Sequence, residues 1–130
     1  MTSVNQVPKW VTIYLWITTI MALMFSLLAY FKPEIQFGTW GALAANAALS
    51  LGGPLGLYIS RNLATVVVGL FVLTNKSTTS IRILLILRLL TDGLDFVHNI
   101  IAGSIEGGVF AGVMFAIEVI ALLKISTHKE

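Results

Sequence analysis

The chain has 130 residues, of which 57% are hydrophobic and 11% charged, and its mean hydropathy is +0.92; an average soluble domain carries roughly a quarter charged residues, so the composition excludes that class and indicates a polytopic membrane protein. The formal charge of +2 comes from scattered residues, with no basic cluster to track a phosphate backbone, which argues against nucleic acid as a partner. There is no cysteine, hence no disulfide, thiol nucleophile or thiolate cluster, and redox chemistry would need a bound cofactor or quinone.

A bilayer crossing takes about 20 apolar residues, so four crossings with short turns nearly exhaust the chain and predict a single integral membrane domain over 1–130. The first helix is expected at about 10–30. Pro8 suits its start, and its apolar run exceeds a signal-peptide core and lacks a small-residue cleavage site, so it reads as a retained helix. Trp10, Tyr14 and Trp16 near its beginning and Tyr30 at its end fit aromatic belts at two interfaces, while Lys32, Pro33 and Glu34 terminate it.

From 37 to 73 the only strongly polar residues are Asn46, Arg61 and Asn62, a run too long for one crossing and too short for two with a turn. Gly52, Gly53 and Pro54 divide it. The second crossing is then 55–74, and 35–51 is an interfacial or re-entrant segment after helix one, with Gly52 and Gly53 as its hinge if it is a lid. A polar turn from Asn75 to Thr79 leads to helix three at 80–101, and a glycine-rich turn from Gly103 leads to helix four at about 106–125. Lys9, Lys76, Arg82, Lys124 and Lys129 fall on one side of this arrangement and Lys32 on the other, which by the positive-inside rule makes both termini cytoplasmic. The fold class is an all-α, polytopic membrane four-helix bundle.

Helix three carries the most informative residues. Arg88, Asp92, Asp95 and Asn99 lie in the part that must cross the lipid, where ionisable groups usually face a bundle interior or a water-filled cavity and mark a functional path. At about 100° per residue they fall within roughly 60° of one another and form one polar stripe, with Leu89, Phe96 and Ile100 off it. At 1.5 Å per residue, Arg61 and Asp95 are both roughly 10 Å from the outer face and Asp92 about 15 Å, a depth at which they could pair; Arg88 and Glu118 are both about 18–21 Å deep and could pair as well. Two cations thus face three carboxylates, and the carboxylate left over is the candidate for proton donation or acceptance.

His98 lies about 80° from the stripe, where it is either a hydrogen-bonded packing residue or a proton shuttle; His128 belongs to the polar tail. No metal is expected, because no two histidines are close in sequence. Glu106 reads as a solvated charge at the start of helix four. Ala44, Ala45, Ala47, Ala48, Gly107, Gly108, Ala111 and Gly112 read as small residues that allow close helix contact. No G-x-x-x-x-G-K motif occurs, so nucleotide chemistry has no support. The competing reading of the stripe is that its ion pairs only fix helix register.

The stretch LGLYISRNLATVVVGLFVLTNKSTTSIRILLILRLLTDGLDFV, residues 55–97, resembles the DoxX-like superfamily of small four-helix membrane proteins. It shares an arginine early in helix two, here Arg61 followed by Asn62 and Leu63, and a basic residue followed by an acid in helix three, here Arg88, Thr91 and Asp92. About a third of the chain is covered. The resemblance implies a four-helix bundle with short turns and binding or chemistry of quinones or other lipophilic small molecules. The chain departs from it in lacking the cysteines that thiol-based activity would need, and Asp95 and Glu118 match no motif of the family.

The function expected is the binding of a lipophilic small molecule at this charged site. Acid–base catalysis of isomerase, hydrolase or cyclase type would have Asp92, Asp95, Arg61 and Arg88 as its catalytic set and Asn62, His98, Asn99 and Glu118 as ligand-binding residues. Such chemistry needs only positioned carboxylates, so no cofactor is expected. Membrane lipid and a second copy of the chain are the other partners considered. Two other classes compete: a proton-coupled transporter or channel built as a homo-oligomer, although the sequence has no clear inverted repeat, and a non-catalytic membrane accessory protein.

Overall fold

The computed structural model describes residues 7–32, 35 and 54–127. Among the described residues there are four helices, α1 (Lys9–Phe31), α2 (Pro54–Asn75), α3 (Thr78–Ile101) and α4 (Ile105–Thr127), each within three residues of the bounds expected from the sequence. Of the segment expected at 35–51, only Ile35 falls among the described residues, and His128 lies outside them. The chain divides into two compact units, one comprising Ile13–Thr74, the other Met1–Thr12 with Asn75–Glu130.

Three helices are long and apolar enough to cross a bilayer: α1, α2 from Gly56 onward, and α4 as far as Ile125. The fourth, α3, has the length at 24 residues, but Arg82, Arg88, Asp92 and Asp95 leave it outside that group. Five of the helix hydroxyls donate within their own helix. Thr18 donates to the carbonyls of Tyr14 and Leu15, Ser26 to Ala22, Thr65 to Arg61, Thr74 to Leu70 and Phe71, and Thr91 to Leu87. Such back-bonding to the preceding turn suits side chains in a medium without water.

In the first unit, α1 and α2 meet where Gly69 removes a side chain. A Cβ added there would stand 2.7 Å from Thr19 Oγ1, so the Thr19 side chain occupies the notch. Its hydroxyl is the exception to the pattern above, since Oγ1 is buried with no hydrogen-bond partner. Leu15, Thr18, Thr19, Ser26 and Ala29 form the buried stripe of α1, and Ile59, Val66, Val72 and Leu73 that of α2, whereas Ile13, Ile20, Met24, Val67 and Phe71 are exposed. An apolar exterior, with Thr18, Thr19, Ser26, Ala29 and Gly69 set among larger buried apolar residues, is the pattern of helices that face lipid outward and approach closely at small side chains.

Two tight turns bound α3. Lys76 adopts the left-handed conformation at φ 52, and Ser77 then caps the helix, its side chain accepting from Ser80 N. At the other end, Gly103 at φ 73 reverses the chain. Gly103 N donates to the Ile100 carbonyl and Ser104 N to the Asn99 carbonyl, the paired bonds of a Schellman ending, which sends α4 back antiparallel to α3. Nothing lies within 4 Å of a Cβ added at Gly103, so Gly103→Ala should cost about 1 kcal/mol through backbone conformation alone. Gly69→Leu, which meets Thr19, should cost about 1–3 kcal/mol. Thermal unfolding of both variants in one detergent checks that order.

Candidate functional site

Within the second unit, α3 and α4 form a helical hairpin whose two arms stay in step from end to end. Near its open end, Arg82 Nη2 donates to the Ile125 carbonyl at 3.3 Å, placing a cation at the C-terminus of α4, where the helix dipole favours it. Next comes Arg88 Nε, which donates to Glu118 Oε1 at 3.3 Å. Further along, a Cβ on Gly93 would be 3.2 Å from the Phe115 ring, and one on Gly112 would be 3.1 Å from the Phe96 ring. Each phenylalanine therefore sits in the other helix's glycine notch. Closest to the turn, the Asn99 side chain fills the space over Gly107, and Ile100 packs on Gly108. The small residues of early α4 thus serve close contact, as the sequence suggested for Gly107, Gly108 and Gly112.

Glu118 is fully buried and Arg88 is 8% exposed. On α4 the carboxylate occupies a core position: Gly108, Ala111, Ala121 and Ile125 share its buried stripe. On α3 the buried face is Ile81, Leu84, Leu85 and Arg88. That face changes character at the ion pair. Before it, the stripe is apolar and buried; beyond it, Asp92, Asp95 and Asn99 continue the same stripe and are only half-buried. The depth argument that paired Arg88 with Glu118 is met by the geometry.

The remaining expected site residues divide as follows. Asp92 and Asp95 are on one face of α3, an i, i+3 pair of half-buried residues, with Asp92 Oδ2 itself buried. Asn99 has its amide committed locally, Nδ2 donating to the Asp95 carbonyl at 2.7 Å, while its Oδ1 is packed at Gly107; its surroundings are those of a residue closing the hairpin. His98 is exposed in the last turn of α3. Arg61 and Asn62 belong to α2 in the first unit. Arg61 is exposed, with its guanidinium carbon 5.8 Å from the centroid of the Tyr58 ring one turn back, within cation–π range. Asn62 is half-buried. Glu106 is exposed in the first turn of α4, as a charge favoured by the helix dipole should be.

Sequence reasoning missed three contributors. Tyr58 was legible as an i, i+3 neighbour of Arg61. Arg82, counted only as an interface charge, caps α4. The reciprocal seating of Phe96 and Phe115 required the register of the hairpin, which no local pattern supplies. Among the described residues, no group of three His, Asp or Glu side chains is arranged to hold a metal ion.

Compared with protein-family models, curated proteins and solved structures, the chain matches none. What the site can do must therefore be read from its own chemistry: a buried Arg88–Glu118 ion pair and, one and two turns along the same face of α3, the half-buried Asp92 and Asp95. Gly112→Leu should expel Phe96 from its notch and destabilise the protein by about 1–3 kcal/mol. Val113→Leu beside it, whose side chain is exposed, should stay within about 0.5 kcal/mol of the parent. Circular-dichroism melts of the two variants check the contrast.

Proposed function

We propose that this is a multi-pass membrane protein in which α3 crosses the bilayer together with the three apolar helices, both termini facing the cytoplasm, in a DoxX-like four-helix bundle. The polar stripe of α3 holds the polar end of a lipophilic small molecule, and Asp92 or Asp95 exchanges a proton with it in acid–base chemistry of isomerase, hydrolase or cyclase type.

The observation that carries this reading is the change along one face of α3, from a buried apolar half, through the Arg88–Glu118 pair, to half-buried Asp92 and Asp95. A carboxylate gains nothing from burial by itself, because desolvation offsets its pairing. Asp92 and Asp95 are half-buried as residues, with Asp92 Oδ2 itself enclosed, so the two stand at the border between core and exterior, where a reacting group can meet a ligand. The apolar exterior, with Ile83, Leu87, Leu90 and Leu94 of α3 exposed, would let a membrane-soluble molecule approach from the lipid. In this scheme the ion pair is the floor of the site. Glu118 holds Arg88 in place and, being fully buried, touches no ligand itself.

The test is an unbiased mass-spectrometric search for small molecules that co-purify with the protein, comparing wild type with an Asp92→Asn, Asp95→Asn double variant. These amides preserve size and helix, so the variant should fold. A specific lipophilic species, depleted about tenfold or more in the variant, is the expected result, corresponding to the loss of a charged hydrogen bond. The same molecules in the same amounts in both preparations would remove the aspartates from the site.

A further inference from the structure

A helix with four charged residues, Arg82, Arg88, Asp92 and Asp95, is a poor candidate to enter a bilayer by itself, and α3 is the one helix of the four that is not apolar enough to do so. Arg88 and Asp92 are its charges nearest the middle of Thr78–Ile101. Directly opposite Arg88, near the middle of α4, stands Glu118. The helix that carries it has the highest mean hydropathy of the three that can cross, 2.1 over its apolar window, enough apolar surface to take a carboxylate with it.

We infer that α4 is the insertion partner of α3: the two helices enter the membrane as one pre-paired hairpin, and Glu118 is the group that carries Arg88 across. The inference rests on the reading of α3 as a crossing. Four features of the hairpin make it a unit able to act before the other helices are in place. The turn is short and self-satisfied, closed by the bonds from Gly103 N and Ser104 N. Asn99, the next polar group, is bonded within its own helix. Phe96 and Phe115 lock the register through the Gly112 and Gly93 notches, which brings Arg88 to Glu118 and to no other turn of α4. Arg82 sits at the last carbonyls of α4, near the end of both arms, where a long cationic side chain reaches the interface. The central cation and the central anion therefore enter as a neutral pair, where each alone would bring an uncompensated charge into hydrocarbon.

The consequence runs against hydropathy. Replacing Glu118 by leucine makes α4 more apolar, and by composition alone that should help the hairpin to cross. By the pairing argument it strands Arg88 and should hinder α3. The chain contains no cysteine, so a single one can report topology. Ala102→Cys, at the exposed turn between α3 and α4, and Asn75→Cys, at the exposed turn before α3, are probed separately in sealed vesicles of both orientations with a membrane-impermeant thiol reagent.

In otherwise unchanged protein the two positions should label from opposite faces. Adding Glu118→Leu should lower the ratio of crossed to uncrossed chains at position 102 by roughly tenfold or more, and adding Arg88→Leu to that variant should restore it. An unchanged or raised ratio in Glu118→Leu, or no recovery in the double variant, overturns the insertion role while leaving the crossing intact. Labelling of both positions from the same face in the parent protein overturns the crossing itself, and the inference with it.

Discussion

The contact between Arg88 Nε and Glu118 Oε1, at 3.3 Å and almost without solvent, is the constraint on which the rest of the α3–α4 hairpin depends. A buried ion pair adds little net stability, because the desolvation of both groups offsets their attraction; what it imposes is a penalty on every arrangement that separates them, about 3–5 kcal/mol when one partner is lost. A shift of one turn along α4 would leave a guanidinium facing Met114 or Leu122, which offer no anion. The pair thus selects one register among several that apolar packing would tolerate. The phenylalanine and glycine notches then fix that register sterically, and the short Schellman turn makes it the one reachable by the connecting chain.

The two units solve the problem of helix association differently. In Ile13–Thr74 the contact between α1 and α2 is made by subtraction, with Gly69 giving way to Thr19 and the other buried hydroxyls bonded within their own helices. In the hairpin, small residues again allow close approach, but an ion pair is set among them and two further carboxylates are held on the same face. Concentrating ionisable groups on the helix least suited to lipid is costly, and under the proposed function Asp92 and Asp95 give that cost a use. The hairpin keeps the two on one face of α3.

Much of this architecture is legible in the sequence because long apolar runs and the turn residues between them are strong signals, and they locate the four described helices to within a few residues. Depth is a one-dimensional coordinate, so the match of Arg88 with Glu118 follows from counting residues from the turn between them. Direction around a helix is harder to read. Asn99 shares the stripe of Asp92 and Asp95, yet it packs on Gly107 and bonds its own helix, because proximity to the turn brings α4 against it. Tyr58 and Arg61 meet through a local i, i+3 spacing. Phe96 and Phe115 are placed by interhelical register, a tertiary property that the amino-acid pattern of neither helix contains.

Contact between Arg88 and Glu118 inside the folded protein can be measured directly by magic-angle-spinning NMR of the protein in lipid bilayers, with dipolar recoupling between 15N at Arg88 Nε and 13C at the Glu118 side-chain carboxyl. A strong coupling is expected, as for atoms in direct ionic contact, and it should disappear in the Glu118→Leu protein. Absence of that coupling in a folded wild-type sample would contradict the contact, and with it the register of the hairpin and the floor of the proposed site.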